Sequence, residues 1–151
     1  MSSTSELRLP ASVELHEPIT RFLRHSSHFN EKTGRVRHEG LLPPPPNPAA
    51  GRARYESSVY RAESASSAEL WAICSEYVDV ADARMKARGT VDARVFIEQQ
   101  LVFDADGKPH RRHANVIGWP EDKHARKNLA REVADRMTLE MRLPETNRDH
   151  S

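Results

Sequence analysis

Glu98, Gln100, Arg111, His113 and Asn115 are the residues of this 151-residue chain whose types and spacing come closest to a chemical site. They flank Asp106-Gly107, a dipeptide suited to a type I′ hairpin turn because glycine accepts positive φ at the second turn position. A two-residue turn there pairs Ile97 with Val116 and Gln99 with Ala114 on one face of the hairpin. The other face then sets Glu98 against Asn115, Gln100 against His113 and Val102 against Arg111. Opposed side chains in such a ladder lie about 5 Å apart, so these polar groups would meet on one ligand. Moving the turn to Ala105-Asp106 pairs Glu98 directly with His113 and leaves both on that face. A carboxylate beside an imidazole tunes its proton affinity, so His113 and Glu98 are the candidates for acid–base catalysis. The competing reading is a plain solvated face, which antiparallel sheets often carry.

A second set of cations, Arg84, Lys86 and Arg88, alternates with Met85, Ala87 and Gly89. On a strand all three face one way, and with Arg111 or His113 from a neighbouring strand they form an anion-binding surface. Phosphate is the natural ligand, since a guanidinium fork matches its oxygens. The candidate ligand-binding residues are thus Arg84, Lys86, Arg88, Arg111, Asn115 and Gln100. The same cations equally suit a solvated strand that resists edge pairing. Ser57, Ser58 and Tyr60 beside Arg61 are further groups able to contact phosphate. The chain has no Gly-x-Ser-x-Gly elbow, phosphate-cradling glycine loop or dinucleotide fingerprint. Two His-x-x-His pairs, His25/His28 and His110/His113, would split across opposite faces of a regular strand, so no metal site is expected. No cofactor is expected either. Cys74 falls on an apolar helix face and reads as a small core residue.

The elements that must position these groups are read from periodicity. Ile19–Arg24, Tyr55–Arg61, the alternation from Met85 to Val91, Val95–Phe103 and about His110–Trp119 predict strands. Ser66 and Glu69 form a capping box that opens a helix carrying Leu70, Ile73, Cys74, Tyr77 and Val78 on one face, with Trp71 at its border. Pro120, Glu121 and Asp122 predict a second helix start. Its stripe of Ala125, Leu129, Val133, Met137 and Met141 runs until Pro144. The expected fold class is α+β, an antiparallel sheet of four to five strands with two helices packed on one face. Leu70, Ile73, Tyr77, Leu129, Val133 and Met137 would share one core. Residues 1–17 are expected to be a weakly ordered N-terminal segment, 18–143 a single domain and 144–151 a polar tail. The stretch 43–53, opening with four prolines, excludes helix and favours polyproline II geometry. It reads as a stiff loop rather than a docking motif.

Bulk properties limit the partners. Lys and Arg number 23 against 22 Asp and Glu, a formal charge of +1, so no global field draws in nucleic acid or a membrane. The single cysteine suits a reducing compartment. The N-terminus lacks the basic and apolar regions of a signal peptide, and no apolar run approaches ~18 residues. A cytoplasmic location is expected, with no membrane partner.

His113-Ala114-Asn115-Val116-Ile117-Gly118-Trp119-Pro120, followed by an acidic helix start, resembles the C-terminal signature of small bacterial proteins associated with mobile elements. The likeness extends through Ser58-Val59-Tyr60-Arg61, Trp71 and Arg88-Gly89, over roughly residues 19–143. It implies a bacterial origin and one compact domain. It brings no established activity, so no residue role is carried over. From the residues themselves, the leading expectation is a domain that binds a phosphate-bearing ligand, RNA or a nucleotide, with a metal-independent nuclease or transferase step as its catalytic extension. The alternative is a non-enzymatic module with a protein partner, of adaptor or immunity type. Near-neutral charge and few aromatics favour the alternative, and the clustering of Arg and His favours the first.

Overall fold

Central strands of a sheet covered on both sides must be apolar on both faces, and that is how β1 (Pro18–Leu23) is written. Ile19 and Leu23 point to one side and Phe22 to the other, and each is buried. β4 (Ser57–Arg61) repeats the pattern with Val59 and Tyr60. The computed structural model describes residues 9–144; residues 1–8 of the expected N-terminal segment and 145–151 of the expected tail lie outside the described residues.

The sheet has six strands, more than the four to five expected, all paired antiparallel. Its spatial order is β6 (Val102–Asp104), β7 (His113–Ile117), β4, β1, β5 (Ala87–Asp92) and β8 (Thr138–Met141). A two-stranded hairpin of β2 (Phe29–Asn30) and β3 (Arg35–Val36) lies beside it, closed by a turn ending at Gly34. Gly89 in β5 is needed where it stands: a Cβ there would come within 2.8 Å of both the Met137 sulfur and a Val36 methyl.

The helices do not share a face. α1 (Ser67–Ile73) buries Leu70, Ile73 and Cys74 against Phe22, Tyr60 and Ala62. α3 (Lys123–Asp135) buries Leu129, Ala130, Val133 and Ala134 with Met137 against Ile19, Leu23, Val59 and Val91 on the opposite side. The expected single core is therefore two cores divided by the sheet. The capping box of Ser66 and Glu69 forms as read from the sequence. Beyond Ile73 the helix widens into a π turn, Cys74–Val78, which rotates Tyr77 off the apolar stripe and leaves it 40% exposed.

Three further readings are corrected. Val95–Phe103 is not one strand: only Val102 and Phe103 fall in β6, whereas α2 (Ala93–Glu98) buries Ala93, Val95 and Phe96, and packing overrides the strand propensity of its residues. A Schellman closure ends α2, with the Gln100 amide on the Ile97 carbonyl at 2.9 Å and the Leu101 amide on that of Phe96 at 3.2 Å. Gln100 holds the left-handed position at φ 71°. Second, Asp106-Gly107 is no two-residue turn. β6 pairs with β7 as Val102–Ile117, Phe103–Val116 and Asp104–Asn115, and residues 105–112 form a longer connection. Third, α3 starts after Asp122, whose carboxylate accepts from the Ala125 amide at 2.8 Å, and it stops at Asp135 rather than Pro144. Met141 belongs to β8, which pairs with β5.

The proline-rich stretch is a loop. It is closed by the Asn47–Arg52 bridge and by the Arg52 guanidinium on the Pro45 carbonyl at 3.0 Å. Glu17 ties the N-terminal segment to the sheet through a buried two-point ion pair with Arg61, at 2.9 and 2.7 Å. No helix among the described residues is long and apolar enough to cross a membrane.

Candidate functional site

The residues singled out by sequence scatter. Glu98 sits on α2, largely exposed, beside Arg94 at 3.8 Å, so the Glu98–His113 pair does not form. Gln100 closes α2 and its backbone is committed to that turn. Arg111 is exposed in the connection and Lys86 is exposed just before β5. Arg84 also precedes β5 and faces the Asp79 carboxylate at 3.7 Å. Arg88 is buried, with Nη2 on Glu140 at 2.6 Å and Nη1 on Thr20 and Thr90 at 2.7 and 3.1 Å. The cation trio therefore forms no common surface. His113 and Asn115 do remain together, two residues apart on β7.

A different carboxylate reaches His113. Asp106 Oδ1 lies 2.8 Å from Nδ1, and Ser58 Oγ lies 3.1 Å from Nε2 on the other side of the ring. The antiparallel β4–β7 register, which pairs Ser58 with Asn115 and Tyr60 with His113, puts the serine diagonally opposite the imidazole. Asp106 is held in turn by Asn115 Nδ2 at 3.2 Å and the Lys108 amide at 3.3 Å. Burial works against the Asp106 carboxylate, but the hydrogen bonds from His113, Lys108 and Asn115 outweigh it and hold its pKa below the usual Asp value. An ionised carboxylate only accepts, so the proton of neutral His113 sits on Nδ1 and Nε2 accepts from the Ser58 hydroxyl. Tyr60 fixes the ring from the side, edge-on at 5.3 Å. Serine, histidine and aspartate thus stand in the order that nucleophilic catalysis uses.

Ser58 and His113 open onto a cavity of about 580 Å³, within the range of small-ligand sites. Arg21, Arg24, His25 and His28 also line it, with Glu39 the carboxylate among its lining residues. The cavity lies where the ladder opens: β1 pairs with β4 at Ile19–Arg61 and Thr20–Tyr60, while β1 with β5 continues to Leu23–Ala87. The Arg21 guanidinium bridges that opening, Nε on the Gly40 carbonyl at 2.9 Å and Nη1 on the Ser58 carbonyl at 2.8 Å. Its burial without a carboxylate pushes its pKa down to about 10. His25 caps a 3₁₀ turn and His28 ends it, rather than both lying on a strand, so their rings meet, edge-on at 5.0 Å. Burial and then the charges of His25 and Arg21 lower the His28 pKa. Among the described residues no three His, Cys, Asp or Glu side chains are grouped to hold a metal.

Two other features carry less. A cavity of about 640 Å³ beside Arg88 is lined by Asp92 and Glu140 as well as Arg88 and Arg136, which balances its charge. Cys74 is fully buried, and burial, followed by the nearby Asp79, pushes its thiol up to about 12, far from a reactive thiolate. Sequence reasoning noted Ser58 only as a phosphate contact and Asp106 only as a turn residue. Compared with protein-family models, curated proteins and solved structures, the chain matches none, so its site is read from its own geometry.

Proposed function

We propose that the chain binds a small phosphate-bearing ligand, a nucleotide or a short stretch of RNA, in the cavity between β1 and β4. The observation that carries this reading is the pair of guanidinium groups, Arg21 and Arg24, set with the donor rings of His25 and His28 against one carboxylate, Glu39, around one concavity. Glu39 is moreover engaged by His38 Nδ1 at 3.4 Å. Arg24 and His25 are exposed, and Arg24 Nη2 donates to His25 Nε2 at 3.3 Å, which leaves the other guanidinium donors open to an anion. Phe22, Tyr60 and Tyr77 add ring surface to the same walls, which suits a nucleobase. The cations differ from those expected from sequence, but the ligand chemistry is the same.

Titration calorimetry with inorganic phosphate, a nucleoside monophosphate and a short RNA tests the reading. Binding should weaken with salt, and Arg24→Ala should lower both the affinity and the salt slope. Because His28 is held neutral in the empty site, binding should take up a proton and tighten as pH falls below the ordinary histidine range near ~6.5. Absence of binding for all three ligands at tens of micromolar protein, or binding indifferent to Arg24→Ala, overturns it.

A further inference from the structure

We propose that Ser58 is a nucleophile toward phosphodiesters, with His113 as its general base and Asp106 as the positioning residue. This rests on the phosphate-binding reading above for its substrate class, and on separate geometry for its reactivity. The hydroxyl, both ring nitrogens and the carboxylate are connected in sequence at 3.1 and 2.8 Å. Ser58 and His113 line the cavity, whereas Asp106 stands behind the imidazole outside the lining. His113 is only 8% exposed at its side chain, so its orientation is set by the protein rather than by solvent. A purely structural histidine of this kind needs neither an exposed serine on its outward nitrogen nor cations around it, and Ser58 is exposed.

The step balances with the groups present. Ser58 Oγ attacks phosphorus and its proton passes to His113 Nε2, leaving an imidazolium that Asp106 stabilises through Nδ1–H. The Oγ–P bond forms as the bond from phosphorus to the leaving oxygen breaks, and the leaving oxygen keeps the electron pair and collects the proton from Nε2. Water then attacks phosphorus, giving a proton to Nε2. The P–Oγ bond breaks, Oγ retains the pair and is reprotonated from Nε2, and a phosphomonoester leaves. Charge on the non-bridging oxygens develops facing the cations of the cavity, and no redox partner is required.

The test is to mix the full chain with bis(4-nitrophenyl) phosphate, follow nitrophenolate release and map the adduct by peptide mass. A release burst with the aryl-phosphoryl group on Ser58, lost in Ser58→Ala, is the expected result. Asp106→Asn should slow the burst by roughly 10³–10⁴-fold and displace its pH profile, with partial rescue in Asp106→Glu. Release that survives Ser58→Ala, label on another residue, or turnover of 4-nitrophenyl acetate without the phosphodiester overturns the proposal. Melting temperature with and without inorganic phosphate, read on the same samples, separates the two claims. Stabilisation without labelling defeats the nucleophile alone. Labelling without stabilisation upholds the nucleophile and defeats the phosphate cavity.

Discussion

Two polar clusters share the α1-bearing face of the sheet and differ in what their charges face. Around Arg88, the guanidinium meets Glu140, Thr20 and Thr90, and Glu140 accepts in turn from Ser67 and from Trp71 Nε1, the latter at 2.9 Å. Nε of Arg88 is the one buried side-chain nitrogen without a partner among the described residues. Around His113, the carboxylate stands behind the ring and the front is left to a hydroxyl and a cavity. A buried cation is thus no anion site when the protein supplies its own carboxylate on the open side. The second cluster is available because its carboxylate occupies the rear.

Removing Arg88 should have the largest effect on stability. Arg88→Ala removes the charged donor of Glu140 and of the two threonines, at a cost of about 2 kcal/mol; this is below the ~3–5 kcal/mol of a fully enclosed pair because Glu140 keeps Ser67, Trp71 and water contact. Urea melts measure it. Phosphate binding should be unchanged, and a loss of binding would erase the contrast between the clusters.

A subtler separation comes from acid titration. The Asp106 pKa is lowered by folding, so its contribution is complete above the unfolded pKa and is lost as pH falls through the folded value. Asp106→Asn should therefore flatten the decline of stability below about pH 4, where carboxylates protonate. An unchanged acid limb would mean that the His113–Asp106 contact is not held in solution. The smallest effect lies away from both clusters. Gln100→Gly should stabilise by about 0.5–1 kcal/mol, since glycine adopts the left-handed position without a Cβ penalty. A melting temperature that falls instead would argue against the Schellman closure of α2.

What could be read in the sequence was whatever local chemistry decides. β4 announces itself by β-branched and aromatic residues, β5 by alternation, and α1 by Ser66 and Glu69. α2 was hidden because Val95, Phe96 and Ile97 favour strands and because glutamine, not glycine, occupies its left-handed closing position. β8 was hidden because Met137 and Met141 continue the spacing of the α3 stripe. For the site, His113 was named but given the wrong carboxylate. Glu98 looked opposite only while 95–103 was a strand, whereas Asp106 reaches the ring from an irregular connection. Ser58 joins through pairing with a strand more than fifty residues away, which no local pattern reveals.

The opening bridged by Arg21 also divides the sheet mechanically. β6, β7 and β4 form one three-stranded blade, and β1, β5 and β8 the other. At the seam the paired registers number only Ile19–Arg61 and Thr20–Tyr60, and past them a single guanidinium spans the gap. Ser58, His113 and Asp106 ride on the first blade, whereas Arg21, Arg24, His25 and His28 follow β1 on the second. The span between hydroxyl and guanidinium groups consequently crosses the shortest-paired junction among the β1–β4 and β1–β5 ladders, with Arg21 across it. A ligand gripped from both blades would act as a strut across it, so hydrogen exchange along the seam, faster than between β1 and β5 in the empty protein, should slow when phosphate is bound.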